Sequence, residues 1–323
     1  MQLWDIESTT ELAIKGCFQR DEAGNEVWVV TAKRAWRWIE GQWVESGDAD
    51  VLNTPHYVDE VGQSAMICDH DFHLDKLNTD VIVKGKARAY AKKPVTYLEC
   101  RLLIDGHIDK TLAITGERKW VEHARALTMT KAQPFTEKEI DYSQAFGGDE
   151  RNRLGRGVGS SQELSAQIVP SVFYLKEESL LAGIKTRVAG FGPLPPFFSS
   201  RYEYAGTFDE RWGEERRPLL PLDFDRRYYQ SAPFDQQCNG HLEGGERMML
   251  SGFCHDDTIS FRTPKEKYLA CAKFDDEQHR KMPISTIFVD TESKEITISY
   301  SATFPCQGKE HLLVRTLVEQ TRI

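Results

Sequence analysis

A chain of 323 residues with 40% hydrophobic and 28% charged residues has the make-up of an ordinary globular protein of one large domain or two. Its formal net charge of -9 leaves no basic excess for gripping a nucleic-acid backbone, so nucleic acid is not an expected partner.

From the N-terminus, MQLWDIESTTELAIKG lacks a basic start followed by an apolar run, which predicts no signal peptide. Residues 11–19 read as a strand, followed by a turn-rich 21–25 and a second, alternating strand over 27–38. Glu-Gly-Gln at 40–42 predicts a hairpin into Trp43 and Val44. Residues 53–77 read as irregular and rich in Asp and His. Three strands are then predicted over 79–90, 95–104 and 110–120, with turn formers between them. In the first, Val81, Val83, Gly85, Ala87 and Ala89 alternate with Ile82, Lys84, Lys86, Arg88 and Tyr90. That pattern predicts a half-buried strand with one wet, mostly basic face.

Short helices or turns are predicted at 163–167 and 176–182. Strands recur at 247–250, 258–262, 268–274, 284–289 and 295–300, with a turn over 290–294. Leu312, Leu313, Leu317 and Val318 suggest a helix over 309–323. The fold class expected is mainly β, a β-rich α+β chain of antiparallel sheets with long ordered loops and few short helices. A single domain over 1–323 is expected, with the alternative of two β subdomains, about 1–150 and 190–323, joined by 150–190. No stretch approaches the ~18 apolar residues of a membrane span. Seven cysteines (Cys17, Cys68, Cys100, Cys238, Cys254, Cys271 and Cys306), an odd number without a CxxC pair, point to reduced thiols and a cytoplasmic location.

One stretch, 190–246, stands apart. Between Arg201 and Gln230 it carries seven aromatics, six arginines and seven carboxylates. Buried rings and guanidinium groups both need partners, so the stretch reads as a long irregular segment pinned by Arg–carboxylate forks and packed against a sheet. An architectural connection that seals a core edge has the same composition. Trp, Tyr and Arg are also the usual anchors of protein interfaces. The candidate partner-binding residues are Trp212, Arg216, Arg217, Phe224, Tyr228 and Tyr229.

Other motifs are weaker. Cys68, His70 and His73 in CDHDFH have zinc-ligand chemistry, yet no second ligand pair exists, and an extended chain would point 73 away from 68 and 70. An acidic surface loop is the favoured reading, and no metal or cofactor is expected. Arg151, Arg153 and Arg156 in RNRLGRGVG suit a tight turn whose arginines pair with carboxylates, better than an anion-binding nest. GxSxG and HExxH are absent. A carboxylate-dependent hydrolase or carbohydrate-active enzyme would have to draw on Asp141, Asp209, Asp223 and Asp225, and the Asp–Arg alternation near 223–227 favours ion pairing there.

Read in order, TDVIVKGKA, PVTYLECRLLIDG, ITGERKW, PFTEKEIDYSQAFGGD, LGRG, FGPLPP, AGTFDERW, RRPLLPLDFDRRYYQSAPFDQ and LEGGE resemble the domain-of-unknown-function family 2169 of bacterial type VI secretion gene clusters. The resemblance covers about residues 10–300. Two departures stand out: Arg153 follows Asn152 where the family often has proline, and Phe234 replaces a common second proline. The resemblance implies a non-enzymatic adaptor or chaperone that binds a toxic effector, through its N-terminal region, and helps load it onto the spike of VgrG and a PAAR-repeat protein. A structural spike component is the further alternative. No catalytic residues follow from it. The expected groove is walled by strands and covered by 190–246, taking the client by strand addition or as a helix.

Overall fold

The computed structural model describes residues 5–47, 49–123, 126–178, 186–256 and 258–321. Strands dominate, mostly antiparallel, and the α-helices among these residues are single turns or little more: Ser161–Leu164, Ser199–Tyr202 and Glu210–Glu215. The mainly-β expectation holds.

The longest strand, Glu26–Ile39, organises one sheet of six strands. Its side chains alternate, as a strand requires. Trp28, Val30, Ala32 and Trp36 face the main core, while Val27 and Val29 face a second cluster with Val51, Phe72 and Leu74. One edge pairs along its length with Glu295–Pro305, and the other with Ala13–Arg20 and then Gln42–Glu45. The hairpin into Gln42–Glu45 turns on Glu40 and Gly41, both at positive φ (49° and 83°), the conformation a two-residue turn needs. Beyond Glu295–Pro305 lie Ile284–Asp290 and, parallel to it, the edge strand Asp80–Lys84.

A five-stranded sheet runs Val172–Tyr174, Ile108–Thr115, Tyr97–Ile104, Arg247–Ser251 and Thr258–Arg262. A four-stranded sheet runs Asp5–Ser8, Arg315–Gln320, Tyr268–Lys273 and Glu277–Met282. Each of the three sheets pairs strands from before residue 116 with strands from after 246. One apolar cluster joins them, with Trp28 and Ile298, Leu102 and Leu250, Ala270 and Val318 as members. Each fully buried Val, Leu or Ile there contributes about 1.5–3 kcal/mol relative to exposure. Trp28 also links two sheets directly, since its indole N–H donates to Thr316 Oγ1 at 2.9 Å. The indole lies so close to the neighbouring strand that a Cβ at Gly16 would meet it at 2.3 Å. Only glycine fits there.

Three expectations need correcting. The tail is not one helix: after a single 3-10 turn at Glu310–Leu312, Arg315–Gln320 is a strand, parallel to Asp5–Ser8 and antiparallel to Tyr268–Lys273. Thr316 and Val318 are buried at the period of two, which overrides the leucine spacing. The strand over 79–90 breaks at Gly85, where a Cβ would lie 2.0 Å from Thr291 Oγ1, and Lys86–Arg88 then pairs with Glu137–Glu139. Its first half is also buried on both faces, with Val81, Ile82 and Val83 all inaccessible. Lys84, Lys86 and Arg88 are ion-paired with Asp290, Glu139 and Glu292. The predicted helix or turn at 176–182 falls in part outside the described residues. No helix among those described is long and apolar enough to cross a membrane.

The 190–246 segment and the polar cluster beneath it

Residues 190–246 form no strand, only short helical turns at Ser199–Tyr202, Glu210–Glu215, Arg226–Tyr229 and Phe234–Gln236. Backbone groups without a ladder must find other partners. Here several find the outer edge of Asp80–Lys84. Val83 N–H donates to Phe191 O at 3.0 Å, Cys238 N–H to Thr79 O at 3.0 Å, and Thr79 N–H to Gly240 O at 3.0 Å. Gln236 Nε2 reaches Val81 O at 2.7 Å and Phe191 O at 2.9 Å. The segment therefore closes a sheet edge.

Two buried cations fix its path. Lys110, on Ile108–Thr115, donates to Gly190 O, Asp235 Oδ1 and Gln236 Oε1 at 2.7, 2.8 and 2.7 Å. Burial pulls its ammonium down to about 8, against the opposing pull of Asp235. Arg201 donates to Tyr228 O and Leu194 O, each at 2.9 Å, and its Nη2 lies 2.6 Å from Asp69 Oδ2. The expected pairing of arginine with carboxylate holds for Arg201, Arg211, Arg226 and Arg227, while Arg201 and Arg216 also donate to backbone oxygens.

The six predicted anchors are engaged in different ways. Trp212 is half-buried, its indole N–H donating to Leu219 O at 2.8 Å and its ring edge-on to Phe208 at 4.7 Å. Arg216 spends its donors on Leu220 O and, across the fold, on Glu22 O. Arg217 is exposed. Phe224 packs on Tyr228 and Tyr229 at 5.8 and 5.3 Å. Tyr228 also faces the Arg201 guanidinium at 5.2 Å, and Tyr229 lies 5.9 Å from the His73 ring.

The large apolar groups that the segment turns outward are others: Tyr202 (53% exposed), Phe208 (47%), Leu222 (84%) and Phe234 (89%). Sequence reasoning passed over them as anchors. Phe234 did carry a signal, since it stands where the resembling family has proline.

Under the segment, Asp69, His70 and His73 come together within a cluster of buried polar groups. Residues 69–73 are irregular rather than extended, so the alternation that separated 70 from 73 does not apply. The two imidazole rings lie 4.0 Å apart, and His73 Nε2 is 3.5 Å from Asp69 Oδ2. Cys68 is not part of that group of donors. Burial holds both histidines below the usual imidazole range, His73 far below, with the charge of Lys76 adding to the effect on His73. Nearby, Lys33 pairs with Asp71 at 2.8 Å and Lys76 with Asp80 at 2.7 Å. A cavity of about 240 Å³, lined by Cys68, Asp69, His70, Asp71 and Lys76 among others, adjoins the cluster.

The four carboxylates considered for hydrolysis serve local structure. Asp141 and Asp209 cap helical turns through Ser143 N–H and Trp212 N–H. Hydrogen bonds from Thr207 hold Asp223, and Arg227 holds Asp225, below the usual carboxylate range. In RNRLGRGVG, Arg151 forks onto Asp149, Arg156 donates to Ser143 O, and Arg153 lies over the Phe197 ring. The turn is as expected, but of its three arginines only Arg151 pairs with a carboxylate among the described residues. Its centre is Asn152, fully buried, whose Nδ2 donates to Tyr142 O and Phe146 O at 2.7 and 3.0 Å.

A separate hollow of about 540 Å³ lies away from the segment, walled by Trp38, Trp43, Leu250, Ile259, Phe261 and Val289. It adjoins Thr258–Arg262, the last strand of the five-stranded sheet. Between 190–193 and the Asp80–Lys84 strand there is only a space of about 170 Å³, below the usual size of a ligand pocket.

Neither the curated proteins nor the solved structures contain a match to this chain. A family model does match, over residues 23–301, most of the chain and all three sheets in part. The chain belongs to the family described as an uncharacterized protein conserved in bacteria (DUF2169).

Proposed function

We propose that this protein is a non-enzymatic, cytoplasmic adaptor and chaperone of a type VI secretion system. It binds a toxic effector and aids its loading onto the VgrG and PAAR spike. The observation that carries the proposal is the pairing of exposure with rigidity in 190–246. Phe208, Leu222 and Phe234 are turned to solvent, on a segment whose course is fixed by Lys110, Arg201 and Gln236 and, beside Phe208 and Leu222, by Asp223 bound to Thr207. Large apolar groups held outward on a fixed frame lose little conformational freedom on binding, which favours affinity for an apolar client segment. The ordered resemblance to a family from secretion gene clusters supplies the biological setting.

Affinity purification from cells expressing the genomic neighbours, followed by mass spectrometry, tests the role. The expected result is recovery of one effector with a VgrG or PAAR protein, lost when the effector's N-terminal region is deleted. Phe208→Ser, Leu222→Ser and Phe234→Ser together are expected to weaken recovery without unfolding the chain. Recovery of no effector, at a sensitivity that detects micromolar complexes, would overturn the adaptor role.

A further inference from the structure

We propose that Asp69, His70 and His73 form a binding site for a transition-metal ion, with Zn2+ the best match. Two imidazoles and one carboxylate are a donor set that zinc accepts, and three protein ligands with one open position mark a zinc site that keeps room for water or a small ligand. Their donor atoms all lie within 4.8 Å of one another. Ligands held at about 2.0–2.2 Å by one tetrahedral ion stand about 3.3–3.6 Å apart. The 3.5 Å between His73 Nε2 and Asp69 Oδ2 already meets that spacing, and a His70 ring nitrogen lies within 4.8 Å of a donor atom of each.

The second observation is His73 itself. It is 4% exposed, and neither ring nitrogen has a hydrogen-bond partner. A buried imidazole is normally satisfied, so this one lacks what a metal would supply. The surrounding charges do not compete for the place. Asp71 is engaged by Lys33, Leu52 N–H and Ser299 Oγ, and Asp80 by Lys76, Gln230 and Ser231. Asp69 accepts from the His70 backbone N–H through Oδ1, and its Oδ2, ion-paired with Arg201, has no hydrogen-bond donor among the described residues and keeps its lone pairs. Arg201 fixes that carboxylate in place, since its other nitrogens hold two backbone oxygens. It also sets a positive charge beside the ion, so the expected affinity is micromolar, below that of a closed structural zinc site. The adjoining cavity leaves space for a water in the fourth position.

The test is calorimetric titration of the tag-free, chelator-treated full chain with Zn2+, and with Co2+ to read coordination from its visible absorption. One equivalent per chain with a tetrahedral cobalt spectrum is expected. His70→Gln is expected to weaken binding by roughly tenfold or more, because even outer-shell partners cost that much. His73→Gln is expected to act likewise, and His70, only half-buried, keeps the test informative should His73→Gln fold poorly. Cys271, Glu277 and His279 form a second, more exposed donor group, so His279→Ala is the control and is expected to leave the site intact. Absence of one-to-one binding, or binding insensitive to His70→Gln but lost with His279→Ala, would overturn the proposal.

Discussion

Lys110 Nζ lies 2.8 Å from Asp235 Oδ1, joining the five-stranded sheet to a residue 125 positions away. The ammonium is inaccessible, whereas the carboxylate is about one-third exposed. The two sides of the pair are therefore unequal, because solvent can replace Lys110 for Asp235 but not the reverse. Asp235→Asn leaves a buried cation short of its counter-charge and is expected to destabilise the fold by about 2–4 kcal/mol. Lys110→Met, which fills the same space without a charge, is expected to cost less.

The same ammonium makes a pH prediction. Its affinity for protons is lower in the folded chain, about 8 against 10.5 for a free lysine, so the unfolded chain binds the extra proton between those values. Stability from this group is thus depressed below about pH 8 and recovers as pH rises towards 10.5. Relative to Lys110→Met, the wild-type chain is expected to gain roughly 1 kcal/mol between about pH 7 and pH 9. Urea unfolding of both proteins at the two pH values checks the sign, and other titrating groups cancel in the difference.

Arg201 meets two backbone oxygens and one carboxylate at once. A lysine ammonium on a flexible stem does not match that planar fork. Arg201→Lys is expected to lower stability by about 2–4 kcal/mol, since Asp69 and two carbonyls lose part of their partners inside the protein. A fall in the denaturation midpoint with an unchanged urea slope is the expected readout.

Asn152 is equally committed. Asn152→Ala strips two buried carbonyl oxygens of their donor and is expected to cost about 2–4 kcal/mol. Arg153→Pro, one residue on, tests the other side of that turn: Arg153 is exposed and rests on Phe197, so the change in the urea midpoint is expected to be small beside that of Asn152→Ala.

The outward and inward rings of 190–246 separate binding from stability. Phe234→Ser and Leu222→Ser are expected to shift stability by no more than about 0.5 kcal/mol, as surface changes do. Tyr229→Ala removes a ring packed on Phe224 and His73 and is expected to cost about 3 kcal/mol. Thermal melts of the three variants beside client pull-downs make the distinction.

Much of the sheet framework is legible in the residues. Thr258–Arg262 coincides with its predicted bounds, and Ala13–Arg20, Glu26–Ile39 and Ile284–Asp290 lie within a residue or two. Alternation against two-residue turns carries that information. Glu277–Met282 was missed because EQHRKM is almost wholly polar, as an edge strand with one inaccessible residue is free to be. The candidate sites are less legible. Arg201 and Arg216 take backbone oxygens, which leave no mark in a sequence, so counting charges does not find these partners. His70 and His73 meet only because the chain bends between them, and alternation had set them on opposite sides.

The closure of Asp80–Lys84 by 190–246 gives those two stretches a common fate. Their hydrogen bonds are shared, so the segment cannot lift without stripping the strand of its outer partners. A strand edge bared in this way would offer itself to any other chain. The amides of Thr79, Val83 and Cys238 are then members of one opening unit, and solvent reaches all three in a single event rather than by separate fraying. In that sense the segment is a guard on the sheet, occupying the edge at which another strand would otherwise add.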